Sequence, residues 1–467
     1  MMTTLFAWLA GILAVATLLW THSTRKYLTR WLWLNNSIKK ACPPIHFALT
    51  ELASKVGDVI GVNIYGRYTI VLSSFQVMKA ILGNNRFAKD RQNHCHDNGI
   101  TWGSGCHWKH LKSHVSQLIR KVLSNDDMIQ NLVQNEITTI FKTNEMLLTL
   151  QDIDLYTSCH NILFGILFGP AVHESSEVQD IIRRHKLKTK PSCDPAEWYT
   201  CSSWLLFQGS TNTLDPSYSE DIKKIIQGRA CLLRSAKNDM NPNNESGLVD
   251  LFIASWLDKD KSTNTIETAV DTLASIVSDM CASGTQPMAF AIQWMIYLLA
   301  RNPKVQDKIY DEIMNEELSN SGAKAYRMAT LYEIFRVGNI LPIPIPRCAT
   351  EAFSISDLPV RKGCPIIYNL DPIFKDVSYW GESVDKFVPE RFLDERKLIR
   401  TERMVMFGFG KRRCLGESIV WNTLMLYLTE ICTKFEVSAG RQNPTDYGIG
   451  KKASFIFSAR RRHNMHS

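Results

Sequence analysis

Read as alternating apolar and polar positions, the chain is mostly helical. The longest uninterrupted helical pattern covers residues 265–300 and is apolar nearly all round, which predicts a helix buried through the middle of the globule. Gly284 and Pro287 fall near its midpoint and predict a local kink with released backbone carbonyls. Amphipathic helices with polar links are expected over 125–250, including a strongly apolar one at 152–168 stopped by Gly169-Pro170. Helical spacing also marks 105–118, with Trp108 and Lys112 one turn apart, 328–340, with Glu333 and Arg336 at i, i+3, and 415–435. Strands are few. β-branched runs at 59–64 and 68–72 around Tyr65-Gly66-Arg67 predict a hairpin, and Ser74 is placed to cap a short helix after it. Residues 341–347, LPIPIPR, form a proline-stiffened extended stretch, 348–367 give short strands with Gly363 at a turn, and 455–457 give a last strand. The pattern predicts a mainly α fold with minor β.

The amino terminus stands apart. Residues 5–20 are apolar except for Gly11 and Thr17, and Arg25, Lys26, Arg30, Lys39 and Lys40 follow. A cleaved signal peptide carries its charge before the apolar run, so this arrangement predicts an uncleaved membrane anchor with the rest of the chain in the cytoplasm. Residues 1–34 are read as the anchor with its basic flank and 35–467 as one globular domain, with Pro43-Pro44 as a stiff hinge.

Composition narrows the class. The 467 residues are 45% hydrophobic and 21% charged, without repeats, which is globular. The net charge of +8 is not accompanied by interleaved basic and aromatic residues, so no nucleic-acid partner is expected, whereas a membrane surface or an acidic protein partner fits. The twelve cysteines are scattered without a Cys-x-x-Cys pair, which argues for a reducing compartment.

The chemistry concentrates at residues 407–416, FGFGKRRCLG. Cys414 follows two glycines and the cations Lys411, Arg412 and Arg413, just before a helix N-terminus, and both surroundings favour thiolate, a metal ligand. His107, His110 and His114 share a helix stripe, but no carboxylate or cysteine completes a metal site at familiar spacing, so they read as solvated or core residues.

The 407–416 run reproduces Phe-x-x-Gly-x-Arg-x-Cys-x-Gly and resembles the haem-binding loop of the cytochrome P450 family. Two further motifs follow that family in order: Glu333-Ile334-Phe335-Arg336, and Pro389-Glu390-Arg391-Phe392. The resemblance implies the fold of that family behind the anchor, a buried Glu333, Arg336, Arg391 cluster, and haem b with Cys414 as axial thiolate. It makes 35–467 the catalytic domain. In the family a Trp-x-x-x-Arg pair and downstream arginines reach the propionates, which points to Trp108, Lys112, Arg347 and Arg412, with Phe407 in the cofactor loop. Lys112 keeps the charge but loses the arginine fork. The spelling resembles animal microsomal members, which implies an endoplasmic reticulum membrane, a cytoplasmic catalytic side, electrons from NADPH-cytochrome P450 reductase with cytochrome b5 as a second donor, and insertion of oxygen into a small lipophilic substrate such as a steroid, fatty acid, terpenoid or xenobiotic. Arg396, Lys397, Arg400, Arg403, Lys411, Arg412 and Arg413 would form the donor's docking face, and Met288, Ala289 and Ile343 would line the pocket.

One part departs from the family. Aligned on Trp294, the long helix places Ser283-Gly284-Thr285-Gln286-Pro287-Met288 where Ala-Gly-x-Glu-Thr-Thr is usual, so Gln286 replaces the acid and Pro287 the alcohol of the proton relay. Thr285 and Gln286 are the candidate catalytic residues. Three routes stay open: a kink turns Thr285 toward the oxygen, the substrate or a water chain supplies the proton, or the enzyme isomerises a peroxide without external electrons. A haem-binding protein that has lost turnover is the alternative of a different class.

Overall fold

The structure is a computed structural model that describes residues 45–64, 67–82, 87–89, 99–101, 103–141, 145–149, 153–170, 175–188, 216–235, 246–257, 263–319, 324–355, 358–395, 397–439 and 456–462. The anchor expected at 1–34, the Pro43-Pro44 hinge, the hairpin tip at Tyr65-Gly66 and Arg396 lie outside the described residues, as does the 34/35 domain boundary. No helix among the described residues is long and apolar enough to cross a membrane.

The fold is mainly α with small sheets, built around one helix, Thr263–Arg301. Leu273, Ile276, Val277, Ile292, Met295, Ile296 and Leu299 are fully buried along it, and they lie on several faces because other helices cover it from more than one side. Leu155–Phe168 and Pro216–Ser235 pack directly against it. The contact with Leu155–Phe168 is close at Gly284, where a Cβ would stand 3.1 Å from Leu163 Cδ1. The helix continues through Pro287 without interruption. A proline inside a helix costs about 3 kcal/mol, and burial of the flanking Met288, Phe290 and Ala291 is of a size to offset it.

The helices expected over 125–250 include Asp126–Ile140, Leu155–Phe168, Ser176–Lys188, Pro216–Ser235 and Leu248–Leu257. The helix carrying Trp108 runs Gly105–Leu123, longer than its apolar pattern indicated. The hairpin forms as Val59–Ile64 against Arg67–Leu72, with Val59 opposite Leu72 and Ile64 opposite Arg67. Ser74 accepts a hydrogen bond from Val77 N at 3.4 Å at the start of Phe75–Leu82.

The hairpin belongs to a five-stranded sheet whose other strands are Pro365–Tyr368, Arg347–Ala349 and Phe87–Lys89. Arg67–Leu72 runs parallel to Pro365–Tyr368, which pairs antiparallel with Arg347–Ala349, so Arg347 stands opposite Ile366 at one end of the sheet. A second sheet joins Phe435–Ala439, Ile456–Arg461 and Glu145–Thr149.

Glu333 is fully buried in Ala325–Gly338. Arg336 Nε donates to its Oε2 at 2.7 Å and Nη2 to its Oε1 at 2.8 Å, while Arg391 Nε and Val388 N each donate to Oε1 at 2.9 Å. The remaining guanidinium donors reach the Phe374, Trp380 and Ser383 carbonyls. The three motif residues therefore form the cluster that the resemblance implied. Removing the carboxylate charge leaves two guanidinium groups uncompensated in the interior. Glu333→Gln is expected to lower unfolding free energy by roughly 3–5 kcal/mol, measured by denaturant titration.

A second prediction concerns pH. His46, fully buried at the start of Ile45–Val56, has its pKa lowered from 6.5 to about 4, chiefly by burial, with Asp371 opposing and Lys375 adding to the shift. Its neutral form belongs to the fold, so the stabilisation is complete above pH 6.5 and is lost as pH falls toward 4. The loss is on the order of 3 kcal/mol, and His46→Gln should flatten that slope in unfolding curves taken across the window.

Candidate active site

The loop from Phe407 to Gly416 is held at both ends. Phe407 packs among Phe335 at 5.6 Å and Trp421 at 5.3 Å between ring centroids, which joins the loop to the Glu333 helix and to Glu417–Lys434. Cys414 N donates to Phe407 O at 2.8 Å and closes the loop on itself. Gly408 and Gly410 take φ of 78° and 58°, a left-handed backbone that side chains rarely adopt, so both glycines are required by the turn. The helix begins at Glu417, three residues beyond Cys414.

Cys414 is exposed to a cavity of about 220 Å3. Phe407, Gly408, Arg412, Arg347, Trp108 and Lys112 line the same cavity, so the structure brings all the proposed cofactor-binding residues together with the cysteine. Another part of the lining comes from the long helix, from Asp279, Met280, Ser283, Gly284, Pro287 and Met288. Apolar side chains of Ile100, Leu163, Ile340, Leu341 and Ile345 fill much of the rest.

Three cations meet at one edge. Arg412 lies 3.6 Å over the Trp108 ring and donates from Nη2 to Gly103 O at 2.7 Å. Arg347, buried in its strand, donates from Nη2 to Arg412 O at 3.2 Å, while its Nη1 is buried with no hydrogen-bond partner among the described residues. Lys112 Nζ donates to the Lys411 and Arg413 carbonyls at 2.6 and 2.8 Å. Burial pushes the Lys112 pKa down to about 8, and Arg412 and Arg347 push the same way against an opposing pull from Cys414. A buried guanidinium nitrogen without an acceptor, beside two more cations, is a site for a carboxylate. The residues therefore fit haem b: Cys414 would hold the iron and the Arg347 edge would take the propionates. Trp108 shapes this edge differently from the expectation, since its indole N–H donates to Ile100 O at 2.9 Å.

Thr285 and Gln286 do not line the cavity. Thr285 is buried and its hydroxyl stands 3.3 Å from His160 Nδ1, and His160 Nε2 stands 3.3 Å from Tyr218 OH. At about 100° per residue, a helix that turns 283, 284 and 287 to one face directs 285 toward the neighbouring helix. The continuous helix gives Thr285 no rotation toward the cavity. Ala289 and Ile343 also lie outside the lining, unlike Met288. Asp279 was not singled out from the sequence, although the i, i+4, i+8 spacing of 279, 283 and 287 was the available signal. Tyr368, buried beside Arg347, was also missed, because it ends a strand that reads as ordinary core.

The expected docking face changes as well. Arg413 pairs with Glu417 at 2.5 Å and Arg403 pairs with Asp376, which leaves Lys397, Arg400 and Lys411 as its exposed members outside those pairs.

A family model described as Cytochrome P450 matches residues 27–456. Among curated proteins, Cytochrome P450 2J3 of Rattus norvegicus is 22% identical over 415 residues, covering 84% of this chain and 81% of the relative. Cytochrome P450 2J2 of Homo sapiens is 23% identical over 415 residues with the same coverages, 84% and 81%. Cytochrome P450 2L1 of Panulirus argus is 22% identical over 423 residues, covering 83% and 84%.

The cation edge generates the test of the cofactor's orientation. Arg347→Leu should weaken haem retention roughly tenfold to a hundredfold, the equivalent of one charged hydrogen bond, measured as the rate of haem transfer to apomyoglobin. An unchanged rate would place the propionates elsewhere.

Proposed function

The chain belongs to the cytochrome P450 family, and from that membership we propose how its own residues carry the family's reaction. It is a haem-thiolate monooxygenase that inserts one atom of O2 into a lipophilic substrate and takes electrons from a redox partner. Cys414 is assigned as the axial thiolate, Arg347 and Arg412 as the propionate contacts, and Phe407 as the ring that keeps water from the cysteine side of the cofactor. The observation that carries these assignments is the convergence of Cys414 and the partnerless Arg347 Nη1 on one cavity.

Bound there, the haem supplies the reductive activation of O2, with the thiolate favouring O–O cleavage. The chain's part is positioning and exclusion of water. Leu163, Met280, Met288 and Ile345 give the substrate an apolar wall, which orients hydrophobic molecules and keeps bulk water out. Lys112 serves the loop, since its ammonium holds the two carbonyls flanking Arg412, and it reinforces the positive edge. Thr285 acts from behind the distal wall, where its contact with His160 helps hold the rotation of the long helix and so the direction of Ser283 and Pro287.

The electron source is proposed to be NADPH-cytochrome P450 reductase, with cytochrome b5 as a second donor, docking on the side of Lys397, Arg400 and Lys411. Exposed cations beside the ligand loop suit an acidic partner. The apolar run at 5–20 followed by cations supports attachment of residues 1–34 to the endoplasmic reticulum membrane, with the domain at 35–467 on the cytoplasmic side.

The ligand assignment is tested on the full chain in detergent by the carbon monoxide difference spectrum of the dithionite-reduced protein. The expected result is a strongly red-shifted Soret band, lost in Cys414→Ser. Survival of the band in that variant would sink the assignment.

A further inference from the structure

We infer that the substrate is a lipophilic alcohol whose hydroxyl donates a hydrogen bond to the Ser283–Pro287 stretch of the long helix. This rests on the monooxygenase reading above and adds the chemistry of the molecule that the site takes.

The helix residues on the cavity are Asp279, Met280, Ser283, Gly284, Pro287 and Met288, and their side chains offer acceptors without a matching donor. Pro287 has no N–H, so the carbonyl of Ser283, four residues earlier, lacks the donor that an α-helix supplies from that position. Ser283 Oγ donates its one proton to Asp279 O at 2.6 Å, which leaves the hydroxyl with lone pairs only. The Asp279 carboxylate accepts from Thr101 N at 2.8 Å and adds negative charge to the same face. The methionine thioethers are weak acceptors. Thr285 is turned to His160 and takes no part in the wall.

The other donors of the cavity are the Thr101 and Tyr368 hydroxyls and the cation edge, where Lys112, Arg347 Nη2 and Arg412 Nη2 reach backbone carbonyls and Arg347 Nη1 is kept for a carboxylate. Ser283 is exposed on the cavity wall, so its acceptors are solvated until a ligand covers them; covering one without a donor costs free energy, and a ligand that brings an O–H avoids that cost. An ether or ketone meets the wall lone pair to lone pair. A hydrocarbon leaves it unsatisfied. The apolar remainder of the cavity requires that the rest of the ligand be hydrocarbon, so the fitting class is an amphiphile with one hydroxyl, as in a terpenoid or fatty alcohol.

The test uses the full-chain holoprotein after it has given the red-shifted ferrous carbonyl band. Farnesol is compared with farnesyl methyl ether, and 1-dodecanol with dodecyl methyl ether, by equilibrium dialysis. At least one alcohol should bind about tenfold tighter than its ether. Pro287→Ala returns an N–H to the Ser283 carbonyl and should bring that ratio close to one, whereas Ser283→Ala, which keeps the carbonyl, should leave it largely unchanged. A direct bond between the alcohol and iron would be indifferent to Pro287→Ala. Equal binding of alcohol and ether, no binding of either alcohol, or a preference that survives Pro287→Ala would overturn the inference while leaving the haem-thiolate reading in place. Absence of the carbonyl band would overturn that reading first, and the inference with it.

Discussion

A carboxylate removed from water must have its charge and its lone pairs answered by the protein, and Glu333 meets that demand with two guanidinium groups and a backbone N–H. Arg336 comes from the same helix as Glu333, and Val388 and Arg391 come from one downstream segment. Arg336 extends the grip to Phe374 O and Arg391 extends it to Trp380 and Ser383, so one buried charge fixes the helix Ala325–Gly338 against the irregular segment from 374 to 392. The same helix carries Phe335, which holds Phe407 and with it the start of the cysteine loop. The position of Cys414 thus depends, through two packed steps, on the buried carboxylate of Glu333.

The positive edge of the cavity follows the same logic of compensation. Where the family usually has an arginine fork, Lys112 is a compact point charge with three rotatable donors. Its ammonium settles on two carbonyls of the loop, which ties Gly105–Leu123 to the backbone around Arg412. Across the edge, Arg347 Nη1 is buried without an acceptor among the described residues. With a point charge in place of the fork, this helix holds the loop that carries Cys414.

What could be read from the residue pattern was what local chemistry decides. The hairpin at 59–72, the long buried helix and the cap at Ser74 follow from periodicity and polar punctuation, while the ion cluster was legible only through the family resemblance, since Glu333 and Arg336 at i, i+3 are by themselves a weak signal. What could not be read was rotation and partnership. Thr285 and Pro287 are two residues apart and both lie at the departure from the family pattern, yet helix phase sends one to His160 and the other to the cavity. The cations Arg403 and Arg413 look free in sequence because Asp376 lies 27 residues away and because the pairing with Glu417 at i, i+4 depends on where the helix begins. Trp108 showed its place but not the direction of its N–H, which the nearby Ile100 carbonyl decides.

Pro287 joins these themes at the point where chemistry is expected. In an exposed helix a proline at this position would cost about 3 kcal/mol and bend or break the chain. Here the helix is clamped by buried neighbours on both sides of it, so the defect persists as a local change in hydrogen bonding within an unbroken helix. The substitution acts twice on the same few ångströms: it deletes the hydroxyl that the family uses to pass protons, and it deletes the N–H that would have occupied the Ser283 carbonyl. A wall that has lost a donor and gained an acceptor is chemically inverted, and it selects for the group it no longer provides. On this argument the departure at Gln286-Pro287 is a change in what the substrate must bring to the site, and the fold tolerates it because packing around the long helix is dense enough to hold a proline in place.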